Sequence, residues 1–66
     1  MKDTTSQLKK LLEYWLEHNQ EHGAEFREWA EKVAPLNKEA AGELQKAADK
    51  MAEADEYLKK AQKLVK

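Results

Sequence analysis

The sequence lacks cysteine altogether, and it contains a single proline and only two glycines in 66 residues. Without cysteine, neither a disulfide framework nor a zinc site built from thiolates is available to the chain. No uninterrupted apolar run approaches the length of a signal-peptide core or a membrane span, and the first six residues are mostly polar. We therefore expect a cytoplasmic protein that does not enter a membrane.

The sequence also lacks an excess of positive or of negative charge. The net charge is -1, and acidic and basic residues are interleaved along the chain. Proteins that bind nucleic acids usually carry a basic patch or stripe, and anionic membranes attract clusters of lysine and arginine. The balance of charge therefore argues against nucleic acid and membrane surfaces as partners.

Helix-forming residues, by contrast, are abundant. Alanine, glutamate, lysine, leucine and arginine supply 40 of the 66 residues, above the roughly 50% that is typical of coiled coils and long helices. Thr4 and Gln7 fit a capping box, Pro35 breaks the pattern, and Asn37 is a good N-cap for a second helix. We predict a single all-α domain, folded as an antiparallel helical hairpin. Its predicted parts are a helix over 5–34, a turn over 35–37 and a helix over 38–65, within one domain of residues 1–66.

Two stripes of largely apolar residues run along the predicted first helix. The first stripe consists of Leu8, Leu11, Trp15, His18, His22, Glu25 and Trp29. In the second helix, alanines recur every seven residues at Ala40, Ala47, Ala54 and Ala61. Large side chains would face small ones if these positions formed the core of the hairpin, which favours close packing. We predict that they do, with His18 opposite Met51.

The second stripe, which consists of Leu12, Asn19, Phe26 and Val33, would remain uncovered in a lone hairpin. A chain of this length has a marginal core of its own, so burial of a further apolar stripe favours self-association. We predict a homodimer in which two hairpins form a four-helix bundle. The predicted dimer interface consists of Leu12, Trp15, Asn19, Phe26, Trp29 and Val33.

The chemically unusual residues are His18, Asn19 and His22, in the predicted core. One interpretation is a buried hydrogen-bonded layer that fixes register and oligomeric state, as a polar core residue does in coiled coils. Another is a metal site, because histidines four apart project from one helix face, with Glu21 and Glu25 beside them. Zinc, nickel or cobalt would suit such ligands. A third is a pocket for a small molecule or a partner protein.

No motif in the sequence supports catalysis. Residues 18–22 read H-N-Q-E-H, the letters of the inverted zinc peptidases, but those enzymes need a third ligand far downstream and a substrate cleft. The forward zinc peptidase motif is absent, because Asn19 stands where the glutamate would be. The di-iron bundles require a glutamate three residues before the histidine, where this chain has Trp15 and Asn19. We therefore expect that the protein is not an enzyme.

The segment LEYWLEHNQEH, residues 12–22, followed by EFREWA, residues 25–30, resembles a small uncharacterised prokaryotic helical domain. Members of that domain carry a similar E-H-N-x-E-H and F-x-x-W-A phrase. The resemblance is specific over the first half of the chain and loose over the second. It implies a role for His18, Asn19 and His22 without naming an activity.

Taken together, these residues predict a non-catalytic helical module for binding or assembly. It would self-associate through an apolar face, with a protein partner as a further option. The alternative is a transition-metal-binding protein, used for sensing, storage or delivery, that binds through His18 and His22. A third hypothesis is a pH-responsive dimer, because histidines in a buried layer would become charged in mild acid and push the chains apart.

Overall fold

The computed structural model describes residues 3–65, which form two long helices joined by a short turn. Helix α1 comprises Thr4–Val33 and helix α2 comprises Lys38–Leu64. The helices are antiparallel neighbours: Asn19 contacts Asp55, whereas Arg27, further along α1, contacts Asp49, earlier in α2. The hairpin is a rod with principal extents of 54 × 17 × 12 Å. The all-helical class and the hairpin predicted from the sequence are thus confirmed.

Helix α1 begins one residue earlier than predicted, because Asp3 rather than Thr4 is its N-cap. Asp3 Oδ1 accepts a hydrogen bond from the backbone N–H of Thr5 at 3.1 Å, and the Ser6 hydroxyl donates to Asp3 Oδ2 at 3.0 Å. Aspartate is a better N-cap than threonine, and its negative charge suits the positive end of the helix dipole. The capping box predicted at Thr4 is therefore replaced by a cap at Asp3.

The turn between the helices is tightly hydrogen-bonded. The backbone N–H groups of Leu36 and Asn37 both donate to the carbonyl of Val33, each at 2.8 Å. Pro35 has no backbone N–H to continue the ladder, so α1 ends at Val33. Asn37 Oδ1 then accepts from the backbone N–H of Ala40 at 3.0 Å and caps α2.

Small and medium-sized side chains form the seam between the helices. The buried residues are Leu12, Leu16 and Ala30 on α1, with Ala41, Ala48 and Asp55 on α2. Gly23 also lies on this seam, since a Cβ placed there would come within 3.9 Å of Met51 Cβ. Small residues allow two helix axes to approach closely, so the seam is narrow.

The two stripes of α1 are placed the other way round from the prediction. Leu12, assigned to the dimer interface, is only 2% exposed because it faces α2, whereas Trp15 and Trp29, assigned to both the core and the dimer interface, are 38% and 52% exposed. Met51 accordingly faces Gly23 rather than His18. The reason is size, because the narrow seam accommodates leucine, glycine and alanine but not an indole ring.

The outer surfaces of both helices are charged. Pairs between neighbouring turns include Lys32–Glu28 at 3.2 Å and Lys46–Glu43 at 3.4 Å. Exposed pairs of this kind each contribute only about 0.5 kcal/mol or less to stability, so they do not determine the fold. Within residues 3–65, neither helix combines the length and the apolar character that crossing a membrane requires.

Candidate functional site

Four rings follow one another along α1 at intervals of four residues, which places them on adjacent turns of one helix face. Tyr14 stacks on His18, with ring centroids 5.3 Å apart and planes inclined by 15°. His18 meets His22 edge to face at a centroid distance of 4.4 Å, and His22 lies 6.1 Å from Phe26. We call Tyr14, His18, His22 and Phe26 the aromatic ladder.

The two imidazoles in the middle of the aromatic ladder have their Nε2 atoms close together. The distance from His18 Nε2 to His22 Nε2 is 3.0 Å, within hydrogen-bonding range. One ring must donate an N–H and the other must offer a lone pair, so at least one of the two imidazoles is neutral. On the far side of its ring, His22 Nδ1 lies 3.6 Å from Glu25 Oε1. That carboxylate favours a proton on Nδ1 of His22 and leaves its Nε2 as the acceptor.

Carboxylates lie close to both histidines. Glu17 and Glu21 line a small recess beside His18, and Glu25 approaches His22. Of the four residues predicted as metal ligands, the structure therefore brings the two histidines together and places one glutamate next to each. Within the described part of the chain, no three histidine, cysteine, aspartate or glutamate side chains converge to hold one ion. A single chain thus offers two nitrogen ligands with acidic neighbours.

A buried polar contact crosses the seam between the helices. Asn19 Nδ2 donates a hydrogen bond to Asp55 Oδ1 at 3.0 Å, and Asp55 is only 7% exposed. Among residues 3–65, every buried side-chain nitrogen or oxygen has a hydrogen-bond partner. The contact therefore places a polar pair in an otherwise apolar seam without leaving a polar atom unsatisfied.

The predicted core layer of His18, Asn19 and His22 needs correction. Only Asn19 points into the seam, whereas His18 is exposed and the His22 side chain keeps 40% of its surface accessible. The partner of Asn19 is Asp55, a residue that sequence reasoning did not include in the layer. A signal was present in the sequence, since Asp55 interrupts a seven-residue repeat of small residues that begins at Ala41 and Ala48.

An open groove, also missed from the sequence, follows the flank of the hairpin at Arg27, and Ala24 and Ala52 line it. Arg27 reaches across to α2, where its Nη1 donates to Gln45 Oε1 at 2.8 Å and its Nη2 to Asp49 Oδ1 at 3.0 Å. Polar contacts within the chain therefore join the two helices on this flank.

The opposite flank is apolar. Helical spacing from the buried seam places there Leu11, Trp15, His22 and Trp29 of α1 and Ala40, Ala47, Ala54 and Ala61 of α2, which we call the open face. Among its bulky side chains, Leu11 and both tryptophans are exposed. Of the residues predicted for the dimer interface, Trp15 and Trp29 lie on the open face, Leu12 and Asn19 lie in the seam, and Phe26 and Val33 are half-buried.

These features define a small all-helical protein, an antiparallel hairpin with a pair of histidines on one helix and an uncovered apolar face. The chain belongs to the family described as a domain of unknown function (DUF8180), whose sequence profile matches residues 8–65. It is 43% identical over 58 residues to an archaeal relative from Archaeoglobus fulgidus, named only "Uncharacterized protein", in a match that covers 88% of this chain and 94% of the relative. No solved structure matches the chain. The family match confirms the resemblance to a small prokaryotic helical domain.

Proposed function

We propose that this protein is a non-catalytic assembly module that forms a homodimer through the open face, so that two hairpins make a four-helix bundle. The observation that carries the proposal is the exposure of Trp15 and Trp29 on the same face as a row of alanines. Exposed apolar patches bounded by polar residues commonly mark sites of protein association. The face lies outside the seam of the hairpin, so it is free to bind a second copy.

The exposed area of the hairpin supports a partner of similar size. Its accessible surface is 5436 Å² for a mass of 7.7 kDa, whereas a compact monomer of that mass exposes roughly 4,300 Å². A face 54 Å long and 17 Å wide offers about 900 Å² per chain, close to the ~800 Å² that each partner buries in a stable interface of standard size. One further copy of this chain would therefore cover it.

The shapes on the open face favour a second copy over an unrelated partner. Its α1 side carries the bulky Leu11, Trp15 and Trp29, and its α2 side carries alanines. A two-fold axis parallel to the helices stacks α1 of one copy over α2 of the other, so that each bulky side chain meets small ones. The face is thus complementary to itself.

Sedimentation equilibrium tests the proposal directly. The wild-type chain should sediment with twice its mass of 7.7 kDa. Trp29→Glu places a charge on the open face and should shift the equilibrium to monomer, because an unpaired charge is costly to bury. The matched control is Ala24→Glu, which places the same charge at an exposed residue of the opposite flank, beside Arg27. That variant should remain dimeric.

Dilution of the wild type supplies a second readout that does not depend on a variant that folds. Trp15 and Trp29 are the two tryptophans of the chain, and both would be covered in the dimer. Their fluorescence emission should therefore move to longer wavelength as the dimer dissociates. A monomer at all concentrations, or equal behaviour of Trp29→Glu and Ala24→Glu, would contradict the proposal.

The pH-responsive dimer stays a prediction. Sedimentation at neutral and at mildly acid pH tests it, and an equally stable dimer in both conditions would contradict it.

A further inference from the structure

We propose that His18 and His22 form a two-nitrogen chelate for a divalent transition-metal ion, with both Nε2 atoms as ligands. Both ligands belong to one chain, so the site needs no second copy, although His22 also lies on the open face. Imidazole is the common protein ligand for zinc, copper and nickel. The inference rests on the geometry of the pair, on the position of Glu25 and on the rings that hold the two imidazoles.

The separation of the two nitrogens is the first argument. An ion bound at ~2.1 Å to each of two nitrogens, at a right angle, holds them about 3.0 Å apart, and a tetrahedral angle requires about 3.4 Å. His18 Nε2 and His22 Nε2 are 3.0 Å apart. The pair therefore has the spacing of two adjacent ligands of an octahedral or square-planar ion before any ion is bound.

The second argument is the partner of the other ring nitrogen. Histidines that bind metals usually donate their second N–H to a carboxylate, which fixes the tautomer and strengthens the ligand. Glu25 Oε1 lies 3.6 Å from His22 Nδ1, too far for a hydrogen bond, and a small side-chain rotation would bring the two atoms within range. Glu25 is thus a positioning residue rather than a ligand. When the ion binds, His18 must carry its own proton on Nδ1, so that its Nε2 lone pair is free.

The third argument is preorganisation. Tyr14 stacks on His18 at an angle of 15°, and Phe26 lies beside His22 on the next turn. Neighbouring rings reduce the rotamer freedom that ligand binding would otherwise remove. Glu17 and Glu21 add negative charge near His18, which raises the local concentration of cations. The remaining coordination positions are open to water.

Isothermal titration of the untagged, metal-stripped chain with nickel chloride and with zinc chloride tests the site. We expect saturable binding of one ion per chain, with nickel bound at least as tightly as zinc because nickel tolerates a right angle between ligands. His18→Gln and His22→Gln should each abolish saturable binding. Glu25→Gln should weaken it by about tenfold, as other losses of a carboxylate behind a ligating histidine do.

A spacing control separates a chelate from nonspecific binding by histidine. In the double variant His22→Gln, Gln20→His, the chain keeps two histidines but places them on different sides of α1. This variant should not regain binding. Circular dichroism without metal should show equal helix content in all variants, since His18 is exposed and Gln20 is too.

Two results would overturn the proposal. One is the absence of saturable nickel or zinc binding by a wild-type chain that circular dichroism shows to be folded. The other is equal binding by the wild type and by the double variant with altered spacing. Sedimentation of the metal-free chain is measured in parallel, so that failure of the metal site and failure of the dimer are distinguished.

Discussion

The hydrogen bond between Asn19 and Asp55 influences how the two helices of the hairpin are aligned. Their hydrogen bond of 3.0 Å spans the seam, in surroundings where neighbouring positions are leucine and alanine. A one-turn slide of one helix past the other would leave both groups without a partner, and a buried polar group without a partner costs ~1–3 kcal/mol. The pair therefore favours one register over its neighbours.

Asn19→Ala should lower the free energy of unfolding by about 2 kcal/mol, because it leaves the largely buried Asp55 carboxyl without its donor. The double variant Asn19→Leu, Asp55→Leu should be at least as stable as the wild type, since an apolar pair removes the desolvation cost altogether. Urea denaturation of both variants measures the two values. A double variant less stable than Asn19→Ala would refute this account of the pair.

Gly23→Ala should stabilise the protein. The added methyl group would lie at ordinary van der Waals distance, 3.9 Å, from Met51 Cβ, and alanine is better than glycine in a helix by about 1 kcal/mol. Gly42→Ala is the matched control, because a Cβ at that position meets nothing within 4 Å. Thermal denaturation should show a gain for both variants and the larger gain for Gly23→Ala. The reverse order would mean that the helices are in closer contact at Gly23 than the structure shows.

At the scale of the helix, the N-terminal ends of α1 and α2 differ in how strongly they are coupled to the rest of the fold. Asp3 caps α1 at the end of the hairpin opposite the connecting turn, where the first helical turn can fray alone. Asn37 caps α2 inside the turn that connects the helices. Asn37→Ala should therefore cost about 1 kcal/mol of global stability. Asp3→Ala should cost clearly less. Chemical denaturation of the two variants checks this order, and equal losses would contradict it.

The helices could be predicted from the sequence, but the face that each presents could not. Pro35 and Asn37 locate the turn by local chemistry alone. Both stripes of α1 contain large apolar residues, so periodicity cannot decide which one faces α2. The decision depends on volume across the seam, where Gly23 meets Met51 and the indole of Trp29 would not fit.

Part of the candidate site could be predicted from the sequence, for a related reason. The spacing of His18 and His22 is enough to predict that they meet, because i and i+4 side chains share a helix face whatever the partner helix does. The Asn19–Asp55 contact depends on the register between the helices, and so does the reach of Arg27 to Asp49. Contacts within a helix were thus predictable, and contacts between helices were not.

At the scale of the whole molecule, stability and association should be linked. If the dimer covers the open face, the midpoint of thermal unfolding should rise with protein concentration, since association by mass action stabilises the folded state. Trp29→Glu should unfold at a midpoint that does not depend on concentration, and Ala24→Glu should behave as the wild type does. Scanning calorimetry over about a hundredfold range of protein concentration measures how the midpoint of each variant depends on concentration. A constant midpoint in the wild type would count against the dimer.

The short turn after Val33 also has a consequence for the speed of folding. Residues near the turn can meet after closing a small loop, whereas Asn19 and Asp55, at a sequence separation of 36, must close a much longer one at an extra entropic cost. The contacts of the hairpin should therefore form first near the turn and last near the chain ends. Proteins dominated by such local contacts fold within microseconds to milliseconds. Rapid closure leaves the leucines of the seam, Leu12 and Leu16, little time exposed in a partly folded chain, where they would promote aggregation.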